Sequence, residues 1–310
     1  MRQAIWVRLF DLHCDTLDVC LREQGSIHNH TGAVDLCRGR VFRPWIQAFA
    51  AWLWDGLSAG EAQKQCRCLL DTAHRWACEE PDFRLVRQPA DLATPFCGCS
   101  GLLTVENGGA LGTDLSVLES LSERAVHMVG LTWNGDNHWA SGCMGDPAQG
   151  LTRAGQKAVQ TLEAMHITVD VSHLNATGFW QVAELARRPF VASHSNAAAV
   201  FPHPRNLTDD QFRAIRDSGG VVGLNLYAGH LGDGGVPEQF RRHLEHFLSL
   251  DGERCVCIGS DLDGMDIPVD WNGICILIRL WDHLREQGYS THLLEAIFYH
   301  NAFDFFRRVL

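Results

Sequence analysis

Short apolar or β-branched runs alternate along the chain with longer stretches whose apolar positions recur at helical spacing. Eight such runs can be read: Ile5–Leu12, Trp45–Leu53, Gly101–Val105, Met128–Thr132, Ile167–Ser172, Phe190–Ser193, Val221–Leu226 and Cys255–Ser260. Between them, helical periodicity marks Ala154–Met165, Phe179–Arg187, Asp209–Asp217 and Glu238–Leu248, with Thr208 as an N-cap for the third. Strands alternating with helices imply crossovers between parallel neighbours. Eight of them predict an α/β fold of the (β/α)8 TIM-barrel type, with a doubly wound open sheet as the competing arrangement. The 310 residues suit a single barrel domain spanning 1–310, since such barrels are routinely one domain at this length.

The polar residues favour the barrel. His13 and Asp15 follow the first run, Glu106 the third, Trp133 and Asn134 the fourth, His173 the fifth and His194 the sixth. Asn225 lies in the seventh, and Asp261 with Asp263 ends the eighth. Metal-capable side chains thus gather at the C-terminal ends of the strands, where barrels of this kind build their sites. An open sheet gives no reason for that pattern at both of its edges.

Composition narrows the partners. With 46% apolar and 20% charged residues, the chain reads as an ordinary globular protein. A formal charge of −11 with no basic run excludes nucleic acid and anionic membrane as main partners, because both need a positive surface. Arg2 and Arg8 interrupt the N-terminal apolar stretch, and no cleavage-site pattern follows, so no signal peptide is expected. The most apolar segment, Trp45 to Trp54, is too short to span a bilayer. A cytoplasmic location is therefore expected, and the 12 cysteines are read as reduced thiols that fill core volume. Oligomeric state is not legible, a homodimer being compatible.

The candidate chemistry is a metal site. His13 and Asp15, two apart on an extended segment, project to one face and can share an ion. Glu106 leaves an apolar strand, where a carboxylate is costly to bury without cations, and its two oxygens can bridge two metals. His173 and His194 end consecutive strands in similar Ser-His sequences. Asp263 belongs to an Asp-Gly turn and reads as structural beside Asp261. Arg205 and Asn206 lie in the loop after the sixth run, which puts the guanidinium near the rim of the barrel, where Arg205 could grip a carboxylate with two parallel hydrogen bonds. His28-Asn29-His30 follows no strand and reads as surface. Only Lys64 and Lys157 exist, neither at a strand end, so a carbamylated lysine is not the bridging ligand.

These stretches together resemble the membrane dipeptidase (renal dipeptidase, or dehydropeptidase) family of zinc metallopeptidases. The matching segments are Asp11-Leu-His-Cys-Asp-Thr, Val105-Glu-Asn-Gly-Gly, Leu131-Thr-Trp-Asn, Asp170-Val-Ser-His-Leu and Ala192-Ser-His-Ser-Asn. His203-Pro-Arg-Asn-Leu-Thr-Asp and Gly259-Ser-Asp-Leu-Asp-Gly follow in the family's order. The resemblance implies two Zn2+ ions per chain, with His13 and Asp15 on one, His173 and His194 on the other, and Glu106 bridging. It makes Asp261 the proton-handling carboxylate and Arg205 the ligand of a dipeptide's terminal carboxylate, in hydrolysis by a metal-activated water. One departure stands out: Trp133 occupies the place of a substrate-contacting His in relatives, and His138 is the nearby candidate to replace it. The competing reading is a barrel metallohydrolase of another amide, a lactone or a phosphoester, and Arg205 tilts the choice to an anionic amide.

Overall fold

The computed structural model describes residues 6–28, 31–266 and 268–310, and leaves the side chain of Val269 aside. Ile5, which opens the first predicted run, and Asn29 and His30 of the tripeptide read as surface from the sequence lie outside those residues. Strands β1 (Val7–Asp11), β2 (Phe42–Trp52), β3 (Phe83–Leu85), β4 (Cys99–Glu106), β5 (Val126–Gly130), β6 (Thr168–Asp170), β7 (Val222–Leu224) and β8 (Val256–Ile258) form one sheet. All their pairings are parallel. The order runs β6-β5-β4-β2-β1-β8-β7, with β3 paired to β4 off this path.

Two features depart from the sequence expectation. The short strand β3 escapes it: Phe83 and Leu85 pair with Cys99 and Gly101 at the start of β4, before β5 takes over that edge of the strand at Leu103. The run Phe190–Ser193 does not form a regular strand. It makes single bridges instead, Val191 to Asp170 and Ala192 to Val222. Pro189 before it has no N–H to extend a ladder, and the Ser193 N–H is diverted to the Asp170 carboxylate at 3.0 Å. The segment still fills the sixth position of the ring. Val191 N–H donates to the Val169 carbonyl at 3.0 Å, and Gly223 N–H donates to the Ala192 carbonyl at 2.8 Å. The fold is a (β/α)8 barrel, closed at its sixth position by bridges.

The predicted helices appear with their caps. Asp209–Asp217 opens on a reciprocal capping box between Thr208 and Gln211. The helix predicted from Phe179 begins earlier, at Ala176, because Asn175 accepts from Gly178 N–H and starts the turn there. Alternation along the strands divides the core. Phe10, Ile46, Ala48, Leu102, Met128, Val191 and Cys257 form one cluster with the C-terminal helix Asn301–Val309. Phe306 stacks on Phe10 with ring centroids 5.4 Å apart. Their strand neighbours, such as Leu9, Trp45, Leu103 and Val129, belong to the larger cluster under the surrounding helices. Burial on both faces is what a parallel sheet flanked by helices requires. All 12 cysteines are free thiols. No helix among the described residues is long and apolar enough to cross a membrane.

Candidate metal centre

The C-terminal ends of the strands converge on a cavity of about 570 Å3 lined by Asp15, Glu106, His173 and Asp261 among others. A larger cavity, about 870 Å3, lies at the opposite end of the barrel beside Val221 and Cys255. It contains neither of the two metal-competent clusters found among the described residues.

Those clusters are His13-Glu106-His194 and His13-Asp15-Asp261. Glu106, 5% exposed, links two sets of side chains. Its Oε1 lies 2.8 Å from His173 Nε2 and 3.8 Å from His194 Nε2. Its Oε2 lies 3.4 Å from His13 Nε2, which is itself 3.4 Å from Asp15 Oδ2 and 3.8 Å from Asp261 Oδ1. The five sequence-predicted ligands are therefore together, and the carboxylate between the two sets is Glu106.

Hydrogen bonds behind the site fix which histidine nitrogens face it. His173 Nδ1 is 2.9 Å from Asn134 Oδ1, an acceptor only, so Nδ1 carries the proton and Nε2 presents a lone pair. Ser193 Oγ donates to Asp170 Oδ2 at 2.5 Å, and His194 Nδ1 lies 2.8 Å from that hydroxyl. With its proton given to Asp170, the hydroxyl accepts from Nδ1–H, leaving His194 Nε2 bare. The two bare nitrogens stand 2.9 Å apart and share Glu106 Oε1 as a neighbour. His13 Nε2, Asp15 Oδ1 and Glu106 Oε2 are buried with no hydrogen-bond partner. Buried polar atoms left in this state are costly, and the facing lone pairs of His173 Nε2 and His194 Nε2 repel unless a cation lies between them. The donor set of imidazoles and carboxylates suits zinc, so these residues fit the metal that the sequence implies.

Electrostatics agree. Burial, reinforced by Arg205 and His13, holds His173 and His194 well below the usual histidine range, in the neutral form that ligates. Burial also opposes charge on His13, but Asp15 and Glu106 outweigh it and keep this imidazole well above its ordinary value. Burial raises Glu106 to about 7 against the opposing charge of His13, and raises Asp261 to about 6. Asp261 adopts a left-handed backbone, φ 62°, and its Oδ2 accepts from Asn225 Nδ2 at 2.8 Å. His173 is left-handed as well, at φ 67°. Such conformations are uncommon outside glycine and gather at functional sites.

The remaining predicted residues are distributed unevenly. Trp133 lines the cavity. Arg205 is buried at 5% exposure rather than poised at the rim. Its Nη2 donates to the His194 carbonyl at 3.2 Å, and its Nε has no partner. Asn206 is committed to scaffolding: its amide donates at 2.8 Å to the carbonyls of both Phe201 and His230. His138 is exposed and does not line the cavity, so it does not replace the missing histidine. Asp263 is structural, accepting from Thr16 Oγ1 at 2.6 Å and Ala33 N–H at 2.5 Å. His28 pairs with Glu80 at 2.9 Å, away from the centre.

Sequence reasoning passed over several residues of the site. Trp52, Tyr227 and His230 also line the cavity. Gly264 is a close approach: a Cβ there would meet Asp15 Oδ2 at 2.3 Å and Asp261 Oδ1 at 2.6 Å. The Asp-Gly turn after the eighth strand was the available signal for it.

Comparison with known proteins agrees with this architecture. The sequence profile of the membrane dipeptidase family, peptidase family M19, matches residues 4–309. An uncharacterised protein in the pqqA 5′ region of Klebsiella pneumoniae is 38% identical over 209 residues, 64% of this chain and 77% of that protein. Dipeptidase aclJ of Aspergillus oryzae is 30% identical over 280 residues, covering 84% of this chain but only 65% of its own length. In three dimensions the chain resembles a metallopeptidase from Rhodobacter sphaeroides bound to a phosphinate mimic of the dipeptide L-Ala-D-Ala. The TM-score is 0.89 at 28% identity, over 98% of this chain and 99% of that one. With the profile running nearly end to end over a barrel of the same shape, the chain belongs to the membrane dipeptidase family and is a peptidase of that family.

Proposed function

We propose that the protein is a zinc-dependent dipeptidase with a binuclear centre, working as one barrel domain over residues 1–310. The observation that carries this reading is the division of Glu106, one oxygen toward His173 and His194 and the other toward His13. His13 and Asp15 would hold one zinc, His173 and His194 the other, and Glu106 both. Zinc bound there supplies Lewis acidity to the peptide carbonyl and lowers the pKa of water.

The chain's own residues do the rest. Asp261, raised to about 6 and oriented by Asn225, takes a proton from the attacking water and returns it to the leaving amine. A general base works best with a pKa near the working pH. Arg205 grips the terminal carboxylate of the dipeptide. Among the described residues no carboxylate lies within ion-pair distance of it, and a buried guanidinium without an anion is costly. Asn206 acts at one remove, tying the Arg205 loop to Phe201 and His230, while Trp133 borders the substrate. The phosphinate dipeptide mimic held by the Rhodobacter relative supports a dipeptide as substrate. The free thiols fit a reducing, cytoplasmic location.

The deciding experiment loads the protein with zinc, counts the metal by elemental analysis, and assays a dipeptide panel beside lactones and phosphoesters. Two zinc ions per chain and cleavage confined to dipeptides are expected. Turnover of the lactones or phosphoesters alone would overturn the reading.

A further inference from the structure

The cavity beside Glu106 has one wall that the metal chemistry does not use. Trp52 is the last residue of β2 and lies in register opposite Glu106. Its ring packs edge-on against Trp54, at 5.5 Å and 90°, and against Trp133, at 5.2 Å and 80°. Trp54 and Trp133 complete the triangle at 5.3 Å. Trp133 also approaches the His173 ring to 6.4 Å. Trp52 and Trp133 line the cavity directly, and Trp54, still 53% exposed, extends the same surface outward. Tyr227 and His230, packed edge-on at 4.7 Å, line the same cavity. Burial, reinforced by Arg205, pulls His230 down to about 3, so this ring is neutral near pH 7.

The tryptophan surface is held in place. Asp55 Oδ2 accepts from Gly135 N–H at 2.8 Å, and its Oδ1 accepts from Asn107 Nδ2 at 2.9 Å. Asn107 Nδ2 also donates to the Leu53 carbonyl at 2.9 Å. The loop carrying Trp54 is thereby tied to the loop carrying Trp133 and to the residue after Glu106. A large aromatic surface left partly open beside a polar reaction centre is what a binding pocket for an apolar side chain looks like. A core cluster of three indoles would instead be closed off from water.

We propose that Trp52, Trp54 and Trp133 form a side-chain subsite of the metal cavity and select dipeptides bearing an aromatic or large aliphatic residue. This rests on the dipeptidase reading above. A surface built of indoles rewards aromatic and apolar contact, and the indoles themselves offer a charged side chain no ionic partner. Trp133 is then a specificity residue, and the wall is completed by Trp54 from the loop after β2.

The test has two arms. In the first, kcat/KM of the zinc-loaded wild type and of Trp54→Ala and Trp54→Phe is measured on Ala-Ala, Phe-Ala and Ala-Phe. The wild type should favour at least one phenylalanine dipeptide over Ala-Ala by about tenfold or more. Trp54→Ala should reduce that ratio severalfold, and Trp54→Phe should restore most of it. Trp54 is exposed enough that its removal should leave the fold intact, which circular dichroism checks. In the second arm, metal-free protein, which cannot turn substrate over, is titrated with the same dipeptides while tryptophan emission is followed. The phenylalanine dipeptides should shift the emission, Ala-Ala should not, and Trp54→Ala should weaken the response. Equal turnover of all three dipeptides, or a preference and an emission response that Trp54→Ala leaves intact, overturns the subsite while the dipeptidase reading stands. Failure of the zinc-loaded wild type to cleave any dipeptide overturns that reading and this proposal with it.

Discussion

Ser193 donates its hydroxyl to Asp170 at 2.5 Å, and this bond decides which nitrogen of His194 is open to a metal. A hydroxyl whose proton is committed to a carboxylate can only accept from His194 Nδ1–H, so Nε2 turns to the centre bare. The same carboxylate receives the Ser193 and Ser172 N–H groups at 3.0 and 2.9 Å, binding the ends of two neighbouring barrel positions. Partners behind a metal ligand commonly govern affinity by about 10–100-fold. Ser193→Ala should therefore weaken zinc binding within that range. Competition with a chelator of known affinity measures it, and wild-type affinity in the variant would show that His194 holds its tautomer without help.

Glu106 serves both halves of the centre, so its loss should be felt by both. Glu106→Ala should leave less zinc per chain after dialysis than His173→Ala, which keeps His13, Asp15 and Glu106 together. Elemental analysis of the two variants decides it. If Glu106→Ala retains both ions while His173→Ala loses them, Glu106 is not the bridging ligand.

The affinity for zinc should rise with pH across roughly the interval from 6 to 7, and the protons released should come from particular residues. His173 and His194 are neutral before metal arrives and release nothing. Glu106, raised to about 7, and His13, held above its usual range, carry protons that a cation must displace. Raising the pH removes those protons in advance, so the sign is toward tighter binding. Calorimetry in buffers of different ionisation enthalpy counts the released protons. An affinity that does not change over this interval would contradict the protonated state of both groups.

Asp261→Asn should retain zinc and lose turnover by about 10²–10⁴-fold, the usual worth of a positioned proton acceptor. The amide can still bond to Asn225 but cannot take a proton. Metal content and kcat are measured on one preparation. Near-normal turnover with zinc retained would remove Asp261 from the reaction.

The gathering of the candidate ligands was legible because all the strands run parallel, so a polar residue just past an apolar run lands at the same end of the barrel whichever strand precedes it. His13, Glu106, His173 and His194 needed no knowledge of loops. The strand β3 was hidden because three residues carry no period, and its place depends on a free stretch of the β4 edge. Phe190–Ser193 looks like a strand by composition, yet a side-chain acceptor, Asp170, captures the N–H that a ladder would use. Trp52 at the end of β2, Trp54 just after it, Trp133 and His230 belong to parts of the chain that meet only after folding, and nothing in the spacing between those parts announces the contact. Arg205 was placed in the correct loop but at the wrong depth. A Pro-flanked loop suggests a rim, whereas the bond to the His194 carbonyl draws the guanidinium inward.

That depth sharpens what Arg205→Lys should do. The guanidinium has two proposed tasks: Nη2 braces the backbone of His194, a proposed metal ligand, and the rest of the fork, including the unpartnered Nε, is available to an anion. A lysine keeps the charge but cannot make two parallel bonds to a carboxylate, which should cost on the order of 1.5–3 kcal/mol of transition-state binding. Measuring kcat/KM for a dipeptide and for its C-terminal amide, in wild type and variant, separates the two tasks. If Arg205 reads the carboxylate, the wild type should prefer the acid strongly, and the variant should lose most of that preference while the amide changes little. If Arg205 only braces His194, acid and amide should fall together, and zinc content should fall with them. Zinc analysis of the same samples is therefore part of the measurement. Equal penalties on both substrates with zinc retained would mean that another group holds the carboxylate, and the argument for a dipeptide over other amides would lose its main physical support.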